Sequence, residues 1–571
     1  MSLAFPPALI LLLTVACWPF LNTSLRRLLL VGAPLATLLQ VFTLQEGMGW
    51  QATFLLYEVR PFEVDALRLT FGLAFALVTT VAGIYAWHHE DPKEQAAALL
   101  YAAGALTVVF AGDLFTLLVG WEIMAVASTL VVWRGGTLEA RTAGFRYLIQ
   151  HLLGGSLLLA GILLHVTEGG SLTASALTEG WSWGKGLILV GILVNAGMPP
   201  FHTWIPDAYP KGTVTGSVFL SAFSTKTAVF ALALLFPGWE ILLPLGIIMT
   251  LWGVYYAVLA NDIRLILAYH IISQVGYMVA AIGAGGDLGI NAGSAHAFNN
   301  LLYKTLMFMA AGAVLHAVGR TKLTDLGGLA PQMKWVVALY LVGAASISGF
   351  PLFNGFVSKA MALEAAKVGG GYTAYYLLVF AAIGTFLSVG IKLPYYTWFY
   401  RSKGLQVQRP VPRNMLWAMG ILAFLCVGFG AEDALFNILP HAMEQSFYSV
   451  YNIVEVLQLS LFTFIVFWAY RHHMIGEAKI ALDVDWFYRR PAPFFRRLVV
   501  RVNEGFDAAQ RGVDYLVAVT CRLARNPIRT LRLSPRAEKE FRSDEDRPTL
   551  GSTVLLTSLS MVILLFWVYL Y

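Results

Sequence analysis

Glu122 stands in the middle of an uninterrupted apolar run, DLFTLLVGWEIMAVASTLVVW. A charge at the centre of a bilayer-spanning helix costs about 2.5–3.5 kcal/mol on insertion scales, so a carboxylate kept there points to function. Lysines recur in the same setting: Lys226 in SVFLSAFSTKTAVFALALLF, Lys304 in AFNNLLYKTLMFMAAGAVL, Lys359 in LFNGFVSKAMAL and Lys392 in TFLSVGIKLPYYTWF. One carboxylate and a series of amines along successive hydrophobic segments are the groups a proton or cation path requires. An amine exchanges protons near neutrality only where burial disfavours its charged form. A neighbouring carboxylate opposes that shift, so moving one charge changes the proton occupancy of the next site. Histidine titrates near neutrality in water, which makes His296 and His270 candidate bridges. The competing explanation for each lysine is a structural ion pair between helices; taken together, the lysines outnumber the carboxylates available to pair them. Lys392 lies near a span end and fits equally well a side chain snorkelling to the interface.

The elements that must hold these groups are membrane helices. The 571 residues are 58% hydrophobic and 13% charged, against about 25% charged in soluble proteins. Apolar stretches of about 20 residues, each long enough to cross roughly 30 Å of hydrocarbon, recur almost end to end. The expected fold is an all-α polytopic membrane protein of about 14–16 transmembrane helices; a β-barrel would show short alternating segments instead. Cys17, Cys426 and Cys521 are scattered without CxxC spacing and offer neither a disulfide framework nor an iron–sulfur site. No cofactor and no nucleic-acid partner is expected. The N-terminal MSLAFPPALILLLTVACWPF lacks a basic flank and reads as a retained first span. Loops after odd-numbered spans hold Arg26, Arg27, Lys93, Arg134, Arg141, Arg401, Lys403, Arg409 and Arg413, whereas even-numbered ones hold chiefly Arg60, Lys185, Arg320 and Lys322. The positive-inside rule then puts odd loops in the cytoplasm and both termini outside.

Two helices should be interrupted. VGILVNAGMPPFHTWIPDAYPKGTVTGSVFL carries Pro199, Pro200, Pro206 and Pro210, and ASISGFPLFNGFVSK carries Gly349, Pro351 and Gly355. Proline removes a backbone donor and clashes with the preceding turn. Broken backbone at membrane depth is tolerated where it is buried in protein or lines a wet cavity. One interruption in each half of the chain points to a transporter built from inverted repeats; simple proline kinks are the alternative. His202 and Asp207, at the first interruption, would line an access channel or cap exposed backbone. Asp113 should cap a helix start. The polar stretch 473–549 contains PFFRRLVVRVNEGFDAAQRGVDYLVAVTCRLARN, with Phe495, Leu498, Val502, Phe506, Val513, Leu516 and Val517 in one helical stripe and Arg497, Arg501, Glu504 and Arg511 off it. It reads as a basic amphipathic helix along the membrane or a neighbouring subunit, or as a surface helix on its own bundle.

GDLFTLLVGWEIM, PPFHTWIPDAYP, NDIRLILAYHIISQVGYM, AHAFNNLLYKTLMF and GFPLFNGFVSK, in that order, resemble the proton-translocating antiporter-like membrane subunits. That family includes the D-type subunits of Mrp-type cation/proton antiporters and the large membrane-arm subunits of respiratory complex I and of membrane-bound hydrogenases. LSAFSTKTAVFAL looks most like the Mrp D type. The resemblance implies five-helix inverted repeats, each with one broken helix, and a hydrated chain near mid-membrane. Glu122 matches the family's WE-motif glutamate, and Lys226 the lysine after the first break. Lys304 matches the central lysine, His296 a histidine two turns before it, and Lys359 the ionisable residue of the second broken helix. Three positions depart. Asn195 stands where the family usually has the lysine that pairs with the glutamate, leaving Lys226 as the substitute partner. Asn300 replaces a second histidine, and Arg264 replaces a lysine.

Hydropathy, the placement of charge and the resemblance, which covers roughly 66–400, together divide the chain into N-terminal helices (1–95), a first repeat (96–236), a second repeat (237–400), further helices (401–472), a cytoplasmic amphipathic segment (473–549) laid out like the lateral helix of the largest complex I relative, and a terminal helix (550–571). The implied function is the proton-conducting subunit of a monovalent cation (Na⁺)/proton antiporter in the inner membrane of a prokaryote, working with other hydrophobic subunits. The expected relay is Glu122–Lys226–Lys304–Lys359 with His296 bridging. A proton-pumping arm of a redox complex, and a coupling subunit with a vestigial channel (which Asn195 favours), remain open.

Overall fold

The computed structural model describes residues 5–54, 57–177, 180–475, 482–525 and 550–570. They form two units, 1–484 and 485–571. The first unit starts with α1 (Ala8–Cys17) and α2 (Thr23–Val41), then an antiparallel pair β1 (Gly49–Phe54) and β2 (Tyr57–Glu63), then α3 (Ala66–Ala86). A hydropathy window tuned to membrane helices passes over strands of six or seven residues.

The helices α4 (Pro92–Phe110), α5 (Leu114–Trp133), α6 (Leu138–Thr167) and α7 (Trp183–Ala196) follow, then α8 (Trp204–Ala208), α9 (Gly216–Ala222) and α10 (Ser224–Leu235). Next come α11 (Leu242–Leu259), α12 (Ile263–Ala284), α13 (Gly286–Val318), α14 (Lys334–Ser348) and α15 (Asn354–Thr385), the last running on through π-helical turns. The unit ends with α16 (Arg413–Gly428), α17 (Glu432–Phe436) and α18 (Val450–Tyr470). Ten helices among the described residues are long and apolar enough to cross a membrane, and five shorter apolar helices accompany them. One of the ten, Asn354–Phe399, turns sharply at Gly371 (φ 68°). The architecture is all-α and polytopic.

Helix starts are fixed by side chains that accept the unpaired N–H groups of the first turn. Asp65, Asp91, Asp113, Thr137, Ser182 and Asp262 all do this. Asp113 accepts from Thr116 N at 2.7 Å, the capping role its position suggests. The interior is built around α12 and α13, whose apolar windows are 94% and 89% buried. These two helices carry His270, His296 and Lys304, so the central candidates lie inside the helix bundle.

Both proline- and glycine-marked interruptions are present. α7 ends on Gly197 (φ 76°) and α14 on Gly349 (φ 79°), left-handed closures open to glycine without steric penalty. A third break, at Phe223 between α9 and α10 (φ −96°, ψ −69°), has no proline or glycine to announce it.

The second unit holds α19 (Asp485–Arg489), α20 (Ala492–Arg525) and α21 (Leu550–Leu570). α20 is helical across the stretch whose period predicted it, and the stripe from Phe495 to Val517 is exposed. The parts of the 473–549 segment at 476–481 and 526–549 lie outside the described residues.

Candidate functional site: a buried row of amines

Three of the four lysines are held in the same way. Lys226 Nζ donates to the Ser221 carbonyl at 3.0 Å, at the end of α9. Lys359 Nζ donates to Ile347 O at 2.6 Å, at the end of α14. Lys392 Nζ donates to Val258 O at 2.6 Å and Ala260 O at 3.1 Å, at the end of α11. The last carbonyls of a helix have no N–H partner within it and carry the negative end of its dipole. A buried ammonium supplies both the missing donor and a balancing charge. This explains the unannounced break at Phe223: the Lys226 side chain satisfies a carbonyl that the interruption releases. It also places Lys392 inside the protein, only 3% exposed, and not at the lipid interface.

Lys304 differs. It is fully buried on α13, and its Nζ has no hydrogen-bond partner among the described residues. It lies within electrostatic reach of Lys226. His270 lies within reach of both Lys304 and Lys359, and His296 within reach of Lys359 and Lys226. The three lysines and two histidines therefore form one electrostatically linked group. His296 contacts Ser358 Oγ and Gln274 Oε1, each at 3.2 Å, and His270 Nε2 contacts Ser388 Oγ at 2.6 Å. Asn300 Nδ2 donates to Tyr303 Oη at 3.1 Å, which in turn donates to Gln274 Oε1 at 3.3 Å. Lys359 also lies over the Tyr277 ring. Polar atoms of Gln274, Ser294, Asn299, Asn300 and Thr305 are buried without partners among the described residues along the same helices. Buried polar groups in folded proteins are satisfied by protein or by water, so this interior is suited to internal hydration.

Glu122 is not part of that group. It makes no ion pair or hydrogen bond with any described residue, so Lys226 does not pair with it as a substitute partner. Its carboxylate lies against Gly155 of α6, where an added Cβ would come within 1.8 Å of Oε1. Asn195 Oδ1, buried and unpartnered, sits 3.2 Å from the equivalent point on Gly154. Adjacent glycines of α6 thus bring the carboxylate and the amide onto one helix, while the sharp bend at Phe223 turns Lys226 onto its own backbone.

A polar network that residue patterns did not reveal flanks Lys226. Tyr101 Oη lies 2.7 Å from Ser224 Oγ, and Tyr147 Oη donates to Ser128 Oγ at 2.9 Å and lies 3.3 Å from Ser224 Oγ. Ser224 N donates to Tyr101 Oη at 2.8 Å. Tyrosine and serine in apolar helices look like packing residues in sequence; only their convergence marks them.

The first break is fastened twice. Asp207 accepts from Arg146 Nε (2.7 Å) and Nη2 (2.9 Å) and from Lys211 Nζ (2.8 Å), so it is a structural anchor and not a free acid lining a channel. His202 is fully buried, its Nε2 at 3.0–3.1 Å from both oxygens of Asp483 and 3.0 Å from Trp252 Nε1. Tyr269 Oη donates to Asp483 Oδ2 at 3.0 Å. Burial raises the Asp483 carboxyl, but hydrogen bonding and charge from His202, with further donation from Val484 N and Tyr269, outweigh it and hold the group below its ordinary value. A depressed carboxyl contributes stability that is present above its unfolded value of about 3.9 and is lost only as pH falls through the lower folded value, so the carboxylate's share of this tie is lost only in acid. Asp483→Ala should free residues 482–484, because leaving the buried partners unsatisfied costs about 1–3 kcal/mol. Limited proteolysis is expected to cut faster near residue 483 in the variant; unchanged cleavage would show that the pair does not hold the segment.

Residues 111–388 match the family described as NADH:quinone oxidoreductase/Mrp antiporter, TM. An uncharacterised protein of Methanocaldococcus jannaschii is 31% identical over 58% of this chain and 73% of its own length. The D-type subunit of the Na⁺/H⁺ antiporter of Alkalihalophilus pseudofirmus is 28% identical over 58% of this chain and 71% of its own. Other curated relatives are longer, and the chain spans 32–61% of their length. Among solved structures, a chain of the membrane-bound sulfane sulfur reductase, an archaeal respiratory membrane complex, superposes with a TM-score of 0.70 at 23% identity, covering 98% of this chain and 99% of that one. With the buried amines on its central helices and this match in sequence and fold, the chain belongs to the NADH:quinone oxidoreductase/Mrp antiporter family, as a complex I/Mrp-type antiporter-like membrane subunit.

Proposed function

We propose that the chain is the proton-conducting membrane subunit of a multisubunit monovalent cation/proton antiporter, with Na⁺ the default cation. The observation that carries this reading is the linked group of Lys226, Lys304, Lys359, His270 and His296, which is buried and has no carboxylate partner among the described residues. Amines in that setting change charge by giving up a proton, and each change alters the next site. Glu122 on α5 and Asn195 on α7, both against α6, form the end of the path in the first repeat, and Lys392 the end in the second. The repeats run over 96–236 and 237–400, both termini lie outside, and the α20 stripe docks on a neighbouring subunit. In the full complex, other hydrophobic subunits complete the path for the cation.

A second reading, a proton-pumping arm of a redox complex, is favoured by the likeness to the sulfur-reductase chain, which extends over 98% of this chain. Gentle affinity purification of the tagged protein from native membranes, with mass spectrometry of what accompanies it, separates the two. Small hydrophobic antiporter-type subunits without iron–sulfur proteins are expected; iron–sulfur subunits in stoichiometric amount would replace the antiporter reading with the redox one.

A further inference from the structure

α18 also carries a carboxylate in an apolar run, near the N-terminal end of the helix: Glu455 in VYNIVEVLQLSLFTF. An ionisable residue within a membrane helix points to function by default. Glu455 lies beyond residues 111–388, the stretch that matches the family. It borders an open cavity of about 80 Å³ between α14, α15 and α18, and Lys359 borders the same cavity. Tyr375 Oη donates to Glu455 Oε2 at 2.7 Å. Ser348 also lines the cavity; it is 6% exposed, and its Oγ has no hydrogen-bond partner among the described residues. Glu364, the other acid on the cavity wall, is held by Lys367 at 3.1 Å. Glu455 is therefore the wall carboxylate that is not neutralised by a lysine.

We propose that this cavity is a proton port serving Lys359, with Glu455 as its proton-exchanging carboxylate. The inference rests on the proton-conducting reading above. An N–H bond of the Lys359 ammonium breaks, the proton passes through cavity water, and an O–H bond forms on Glu455. The carboxylic acid then gives the proton to bulk water, leaving neutral Lys359 and ionised Glu455; reversal of the same steps loads the lysine. Ser348 Oγ stands at the Lys359 end, where its free hydroxyl orients the first water. Tyr375 positions the carboxylate and stabilises its ionised form by donation. The π-helical turns that follow α15 belong to the same helix and are the kind of irregularity found at functional sites.

The test uses the whole complex in proteoliposomes, with proton flux followed by an internal pH dye and with Lys304→Ala as reference. Glu455→Gln is expected to lower flux by about a hundredfold, the lower end of what a positioned proton-transfer group contributes. Glu455→Asp should restore part of it, and Tyr375→Phe, which keeps the ring, should give a smaller loss. The loss should be the same with Na⁺ or K⁺ in the assay. Wild-type flux in Glu455→Gln alongside a dead Lys304→Ala would overturn the port and leave the proton-conducting reading standing. An active Lys304→Ala would overturn that reading itself. Unchanged maximal proton flux with a raised half-saturating Na⁺ concentration would make Glu455 a cation ligand and overturn the port.

Discussion

Replacing Lys304 with alanine is expected to abolish proton-coupled transport, a loss of roughly 10²–10⁴-fold if the amine is a positioned transfer group. Lys304 is fully buried, has no hydrogen-bond partner among the described residues, and lies within electrostatic reach of Lys226. Nothing in its surroundings needs its charge for stability, since no described group accepts from it. The alanine variant should therefore insert and assemble normally. Lys304→Arg sharpens the test: it keeps a cation, but guanidinium does not release its proton in proteins, so the arginine variant should be as inactive as the alanine one. Reconstituted flux with matched protein levels measures both. Activity in the arginine variant would mean that the site needs charge and not proton exchange.

Gly155→Ala is expected to reproduce the loss caused by Glu122→Gln without altering any ionisable residue. The methyl group would come within 1.8 Å of Glu122 Oε1 and 3.0 Å of its Cδ, so the carboxylate must leave its place against α6. The obstacle is the far end of a flexible side chain, which makes the change mild for stability and severe for position. Combining Gly155→Ala with Glu122→Ala should add nothing, because both remove the same placed group; non-additivity is the signature of residues acting as one unit. Full flux in Gly155→Ala would show that the carboxylate works from more than one position.

The class of protein, the two marked breaks and the identity of the lysines were legible in the residues themselves. Apolar length sets membrane helices, proline and glycine set breaks, and an isolated charge in an apolar run identifies itself by its cost. Glu455 carries a charge in an apolar run as well, outside the residues 111–388 that match the family. That Glu122 and Lys226 stand apart was not legible, because it depends on where a bend at Phe223 points a side chain. Nor was the anchor role of Asp207, which Arg146 supplies from 61 positions away. The His202–Asp483 tie spans 281 positions, a separation at which no local pattern operates.

By itself the sequence determined that this chain crosses the membrane many times, that its helices break where proline and glycine stand, and that amines and a carboxylate are kept inside the hydrocarbon. Those properties follow from composition, period and the solvation cost of charge, all of which act along the chain. The tertiary structure decided which of those charges meet. It seats Lys226, Lys359 and Lys392 on free helix-end carbonyls, leaves Lys304 without a partner among the described residues, and sets Glu122 against a glycine instead of a lysine. The physical reason is that a hydrogen bond or a Coulomb interaction in a low-dielectric interior depends on ångström-scale distance and direction, and these are set by how distant helices pack.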